Sequence, residues 1–228
     1  LGEIGEAVVT IPANFAHEAR DATMAAAKEA GLNVKYIINE PTAAALYYAF
    51  KNGEDLSGVY AVYDLGGGTF DVSIIRVDGQ DIEVMATNGV HKLGGDDFDA
   101  ALQKLVQAKF KEITGEDLEE DDFTKNDAEE QKKSLSKRKQ ITFRVAKQMV
   151  DVKRDEFEEI ISTFVTQAEM LCEATIGDAG INVDDVKGVF IAGGSTRIPL
   201  VTESITKIFN QEPISTVNVD EVVALGAA

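Results

Sequence analysis

The octet Asp64 to Asp71, DLGGGTFD, lies between two apolar runs, Val59 to Tyr63 before it and Val72 to Val77 after it. Two strands must therefore meet at a turn built from consecutive glycines. Residues without a Cβ allow a tight turn and let backbone N–H groups approach an anion that side chains would hold away. Asp64 closes the first run, Thr69 offers a hydroxyl, and Asp71 opens the second run, so a carboxylate flanks the glycines on each side. Magnesium takes oxygen ligands and keeps much of its water, and such a pair suits a hydrated cation bridging to phosphate. Two readings stand at this point: a plain hairpin turn, or a phosphate loop with its metal.

Ahead of the octet, strand and helix signals alternate. Val8 to Ile11 is a β-branched run stopped by Pro12, and Phe15 to Ala30 reads as a helix closed by Gly31 at its C-cap. Val34 to Ile38 repeats the strand signal. Glu40 and Pro41 then open a helix over Thr42 to Lys51, ahead of a break at Asn52 and Gly53. This alternation predicts parallel pairing with right-handed crossovers in a first lobe. After the octet the pattern changes to a meander, with Phe70 to Val77, a turn at Asp78 and Gly79, and Ile82 to Thr87.

A second glycine turn at Leu93, Gly94 and Gly95 precedes a helix over Asp97 to Ile113, with Asp96 as its expected N-cap. The acidic segment Gly115 to Asp122 reads as a solvated connection. Ala128 to Lys139 is a basic helical stretch, Ile141 to Val145 with Met149 to Val152 a small hairpin, and Asp155 to Ile176 a long amphipathic helix. Lys187 to Ala192 gives a strand, Gly193 and Gly194 a third glycine turn, and Pro199 to Phe209 a helix. Ile214 to Val217 follows as a strand, and Asp220 starts a final helix. Strand, helix, strand and Ala-rich helix thus occur twice, at VVTIP to YIINEPTAAALYYA and at GVFIAGG to ISTVNVDEVVALGAA. A duplication of this kind implies a second glycine hairpin upstream of Leu1, facing the first across a cleft.

The formal charge of −18 argues against a nucleic-acid surface, which needs clustered Lys and Arg. The absence of a long apolar run or a basic leader argues against a membrane span or an exported protein, so the expectation is soluble and cytoplasmic. One cysteine, Cys172, beside only His17 and His91, excludes an intrachain disulfide and argues against a structural zinc site or a Cys/His nucleophile. Cys172 reads as a core residue on a helix. A start at Leu1 and an apolar end at LGAA point to a piece of a longer chain.

DLGGGTFD at 64, LGGDDFD at 93, GGSTRIP at 193, INEPTAAA at 38 and VNVDEVVALGAA at the end together resemble the ATPase domain of the seventy-kilodalton heat-shock chaperones of the DnaK type. The resemblance spans nearly the whole chain. It implies an α/β, actin-like (ribonuclease H-like) fold with a mixed sheet flanked by helices and a smaller helix-plus-hairpin subdomain. It also implies a partial first lobe over 1–58 and a second lobe over 59–228, whose core is 59–114 and 178–228 and whose inserted subdomain is 115–177.

By matching position, Asp64, Gly66, Gly67, Gly68 and Thr69 resemble the family's second phosphate loop, with Asp64 and Asp71 holding the water shell of Mg2+ and Thr69 near the γ-phosphate. Glu40 resembles the acid that positions the metal shell or attacking water, and Gly94 and Gly95 resemble glycines that approach the phosphates. Glu129, Lys132, Lys133 and Ser136, which share one helical face, resemble the residues that contact ribose and adenine. Gly193, Gly194, Ser195 and Arg197 resemble the opposing adenosine loop, and Asp220 a residue near the nucleoside. Pro12 and Arg20 match residues that relay nucleotide state. Without the resemblance, the same residues read as a solvated basic helix face, a helix-start acid at Glu40, and a capping loop at Ser195 or Thr196. Val219 departs from the family's usual proline, and the hairpin around Ala146 to Met149 is shorter than usual.

The resemblance implies ATP or ADP with Mg2+ as ligands, a chaperone ATPase of the stress response, and partners that include a substrate-binding domain, a J-domain co-chaperone, a nucleotide-exchange factor and unfolded peptides. With half of the phosphate clamp outside the chain, weak nucleotide binding and little or no ATP turnover are expected of these residues alone. The rival readings are an actin-fold small-molecule kinase and a non-catalytic actin-like or chaperone-like interaction module.

Overall fold

In chain order, the computed structural model runs β1 (Ala7–Ile11), α1 (His17–Glu29), β2 (Val34–Asn39), α2 (Glu40–Asn52), β3 (Ser57–Leu65), β4 (Thr69–Asp78), β5 (Asp81–His91), α3 (Gly95–Thr114), α4 (Lys125–Leu135), β6 (Gln140–Val145), β7 (Gln148–Lys153), α5 (Arg154–Asp178), β8 (Val186–Ala192), α6 (Pro199–Phe209) and α7 (Val222–Ala227). It describes residues 5–52, 56–79 and 81–228; the break expected at Gly53 and the start at Leu1 lie outside them.

The alternation of side chains along β3 sorts two cores onto the two faces of one sheet. That sheet has the order β5-β4-β3-β8, antiparallel except where β3 and β8 run parallel. Ala61, Tyr63 and Leu65 join Phe70, Val72 and Ile74 on one face, against α3, α5 and α6 and the β6-β7 hairpin. Tyr60 and Val62 join Ile75, Val77 and Phe190 on the other, against α2 and Val222 of α7. The result is helices over both faces of a mixed sheet. Phe190 stacks between Tyr48 and Tyr60, with centroids 4.4 and 5.0 Å away, each such pair adding about 0.5–1.5 kcal/mol to plain burial.

β1 and β2 pair in parallel, as the alternation predicts. Helix α5 buries Phe157, Ile161, Val165, Ala168, Cys172 and Thr175, a stripe at three- and four-residue spacing, and places Cys172 in the core as expected. The same cluster takes in Phe123, Ala128, Leu135 and Ile141 from the 115–177 stretch, so hairpin and sheet share packing.

Several boundaries differ from the sequence reading, β5 among them, which runs on to His91 rather than ending at Thr87. Helix α1 starts at His17 rather than Phe15. Helix α3 begins at Gly95 with Gly94 as N-cap, because Asp97, not Asp96, accepts the Gly94 N–H at 3.0 Å. Helix α4 starts and stops three or four residues earlier than Ala128 to Lys139: Thr124 and Asp127 cap each other at its start, and Arg154 Nε donates to Leu135 O at 2.8 Å at its end. The strand expected over Ile214 to Val217 is reduced to one bridge, Phe190 with Ile214, and α7 begins at Val222 after a turn that holds Asp220. The Tyr48 hydroxyl explains that bridge. It lies 2.9 Å from Ile214 O and 3.0 Å from Ile191 O, accepts the Ile191 N–H at 3.4 Å, and shares its one proton between the two carbonyls, standing where a longer strand would pair directly.

The two Ala-rich helices of the half-repeat, α2 and α7, meet at backbone contact: a Cβ at Gly226 would overlap the Ala43 carbonyl.

Candidate functional site

The three carbonyls of Gly66, Gly67 and Gly68 form the first layer of the site. They accept, in order, the N–H groups of Gly95 at 3.0 Å, Asp96 at 2.7 Å and Lys92 at 3.0 Å, so the second glycine turn is laced onto the first. A Cβ at Gly94 would stand 2.5 Å from Gly67 O, which is why a glycine sits there. The third turn joins at the same atom that receives Gly95: Ser195 Oγ donates to Gly66 O at 2.9 Å. Gly193 has φ +82, and a Cβ on it would overlap the Leu65 carbonyl; its N–H donates to Val219 O at 3.0 Å. One carbonyl thus binds all three turns together. Within the octet, Gly66 N–H closes the turn onto Thr69 O at 3.1 Å. Among the described residues the amides of the exposed Gly67 and Gly68 have no protein acceptor, which leaves them available to an anion.

These turns form one side of a cleft of about 820 Å3, and α4 forms the other. Gly66, Gly67, Gly95, Glu129, Lys132, Lys133, Ser136, Gly194, Ser195, Arg197 and Asp220 all line it. Gly68, Gly94 and Gly193 do not: Gly68 is exposed at the tip of its turn, while Gly94 and Gly193 back the turns at close backbone contacts. Most of the charged groups already have partners. Arg197 is held by Asp220 at 2.8 Å and Asn218 at 2.9 Å, Lys133 pairs with Glu129 at 2.7 Å, and Lys125 pairs with Asp96 at 2.8 Å. Lys132 is nearly buried, its ammonium 2.8 Å from both Gly95 O and Asp99 Oδ1.

Glu40, Asp64, Thr69 and Asp71 are absent from the cleft wall; Glu40, Asp64 and Asp71 form a carboxylate group where the octet joins its strands, and Thr69 is exposed at the start of β4. Asp64 and Asp71 are register partners across β3 and β4, while Glu40 begins α2 directly after β2. Burial, then the charges of Asp64 and Asp71, pushes the Glu40 carboxyl up to about 7. Burial and Asp71 push Asp64 up to about 6. Asp71 is also raised by burial, against the pull of His91 and of Asn14, whose amide donates to it at 2.9 Å. Gly89, opposite Asp71 on β5, leaves the room this requires, since a Cβ there would collide with the carboxylate.

Burial raises all three carboxyls, and Asp71 adds to the rise at Asp64 and both aspartates to the rise at Glu40, so a positive charge would relieve the group. Among the described residues, no three His, Cys, Asp or Glu side chains converge to hold an ion directly. A cation held through its own water shell fits both facts.

Sequence reasoning missed Asp99, Asn14, Asn218 and the Asp96–Lys125 pair. Asp99 was the most findable, because it occupies a position on the otherwise apolar stripe Phe98, Leu102, Val106 and Phe110 of α3.

A family profile described as Hsp70 protein matches residues 1–228. The chaperone protein HscA homolog of Histophilus somni is 43% identical over 227 residues, covering 100% of this chain and 36% of that protein. The HscA homolog of an Acidovorax species is 43% identical over 228 residues, covering 97% of this chain and 36% of its own length. Chaperone protein HscA of Escherichia coli O6:H1 is 40% identical over 227 residues, covering 100% and 36% respectively. The chain therefore spans about a third of the length of these relatives.

Proposed function

The chain belongs to the Hsp70 family, with its actin-like α/β fold, and we propose on that basis that the cleft between the glycine turns and α4 binds an adenine nucleotide. The observation that carries the proposal is the shared Gly66 carbonyl, which draws three glycine turns from distant parts of the sequence to one edge of one cleft.

In this reading the free amides of Gly67 and Gly68, with the Thr69 hydroxyl, receive phosphate oxygens. Asp64 and Asp71 hold the water shell of Mg2+, and Glu40 orients that shell or the attacking water. Bound magnesium would supply charge neutralisation on the phosphates; the protein's part is position and preorganised charge. Glu129, Lys132, Lys133 and Ser136 face the ribose and base from α4. Gly194, Ser195, Arg197 and Asp220 face them from the other side, where the planar guanidinium suits stacking on a purine.

The whole protein, in this proposal, is a cytoplasmic stress-response chaperone ATPase that couples ATP hydrolysis to binding and release of unfolded polypeptides, with a substrate-binding domain, a J-domain co-chaperone and an exchange factor as partners. Residues 1–58 are assigned to a first lobe and 59–228 to a second. No helix among the described residues is long and apolar enough to cross a membrane. The named relatives are chaperones, which lends no support to a small-molecule kinase or a non-catalytic module.

The test is titration calorimetry of the full-length protein with Mg-ADP, repeated with Gly67→Asp. The Gly67 position is open, its nearest neighbour being Asp96 Oδ1 at 3.8 Å, so the substitution leaves the fold intact while setting a carboxylate against the phosphates. Tenfold or greater weakening is expected. Equal affinity for both proteins, or no binding by either, refutes the assignment.

A further inference from the structure

Asp99 lies in α3 with its side chain only 3% exposed, facing Lys132 of α4, which is 10% exposed. A buried carboxylate is costly unless paired, and replacing such a pair by apolar groups is frequently neutral or favourable for the fold. Stability alone therefore gives a weak reason for an ion pair at this position. Its surroundings give a stronger one. The ammonium that meets Asp99 also donates to Gly95 O, and Gly95 N–H in turn donates to Gly66 O, the atom that also takes Ser195 Oγ. A Cβ at Gly95 would stand 2.8 Å from Ser195 Oγ and 3.0 Å from Lys132 Nζ, so the glycine is there to let these groups close.

An ammonium carries three N–H groups. The Gly95 carbonyl accepts one of them, the Asp99 carboxylate 2.8 Å away holds the ammonium as an ion pair without a well-aligned hydrogen bond, and N–H capacity is left for the cleft that Lys132 lines. Asp99 borders the same cleft, but its side chain is only 3% exposed, so it meets a ligand there chiefly through Lys132. We propose that Asp99 is a positioning residue for nucleotide binding: it holds the Lys132 ammonium so that one N–H points at the ribose or phosphate oxygens and the Gly95 turn stays clamped to Gly66. This inference rests on the nucleotide reading of the cleft and assigns a role to a residue outside that reading.

The effect runs through Lys132, so it must vanish when Lys132 is removed. The experiment is a double-substitution cycle on the full-length protein with Asp99→Asn and Lys132→Met, measuring Mg-ADP affinity by calorimetry and thermal stability in parallel. Asp99→Asn alone is expected to weaken binding about tenfold, and in the Lys132→Met background to change it by less than twofold. Glu156→Gln serves as a structural control. It breaks the 2.6 Å ion pair from α5 to Lys109 of α3, lowers stability, and leaves Mg-ADP affinity unchanged.

Should Asp99→Asn fold poorly, the apolar pair Asp99→Leu with Lys132→Met removes both buried charges. It is expected to melt near the wild type and to bind Mg-ADP more weakly than wild type but within about twofold of Lys132→Met alone, because Asp99 acts only through Lys132. The proposal is overturned by equal losses from Asp99→Asn in both backgrounds, by wild-type affinity in Asp99→Asn, or by wild-type affinity in the apolar pair. Absence of Mg-ADP binding by the wild type is a separate outcome: it removes the nucleotide reading first, and the role of Asp99 with it.

Discussion

Asp64 offers the sharpest test of the carboxylate group, because its folded and unfolded proton affinities differ and the difference has a definite sign. Burial and the adjacent Asp71 hold its carboxyl at about 6, against 3.8 for the unperturbed group. As pH rises, the unfolded chain gives up this proton first, so the folded state loses stability between the two values. The contribution is intact below the unfolded value and gone above the folded one. The linkage amounts to about 1.5 kcal/mol at pH 5 and about 3 kcal/mol at pH 8. Asp64→Asn keeps the shape and removes the charge. In chelator-treated protein it should raise stability at pH 8 by up to about 3 kcal/mol, roughly 6–12 °C in Tm for a chain of this size, and by about half as much at pH 5. Melts followed by circular dichroism at the two pH values read this directly. Excess Mg-ADP should narrow the gap at pH 8, since a cation at the cluster favours the charged carboxyl. An Asn gain that does not grow with pH, or a loss at pH 8, would show that Asp64 is not held against its charge.

Three further perturbations follow from the packing. Gly226→Ala sets a methyl into the Ala43 carbonyl and must prise α7 from α2; a loss of about 2 kcal/mol or more is expected in denaturant titration, and an unchanged midpoint refutes the contact. Tyr48→Phe leaves Ile191 O and Ile214 O without their hydroxyl and should cost about 1–3 kcal/mol, with faster hydrogen exchange at the Ile214 amide; wild-type exchange there contradicts it. Arg197→Ala removes a guanidinium fixed by Asp220 and Asn218 and should weaken Mg-ADP binding by roughly tenfold, in line with about 1–2 kcal/mol for cation–π contact, with little change in Tm; equal affinity counts against its stacking role.

Much of the fold was legible because it depends on local signals. Pro199 to Phe209 needed only a proline start and an amphipathic period, and its bounds agree with α6. The β3–β4–β5 meander followed from β-branched runs broken at glycines. What escaped the sequence was decided by distant partners. The Ile214 strand shrank because Tyr48, far away in the chain, takes its carbonyl. Asp96 reads as the natural cap of α3, yet the turn is set by Gly67 O accepting its N–H, and Asp97 does the capping. In the site, the glycine turns announced themselves by composition, whereas Asp99 did not. Its place on the apolar stripe of α3 hints at burial, but the partner that neutralises it, Lys132, comes from another helix and no local pattern joins the two.

The shared carbonyl of Gly66 also bears on how these sequences can drift. Gly95 and Ser195 are a hundred positions apart yet donate to one oxygen, so a change at either alters the acceptor seen by the other. Their substitution effects should show epistasis rather than simple addition. Neutral variation at the two positions would then be correlated, and a replacement harmless in one background would be damaging in another.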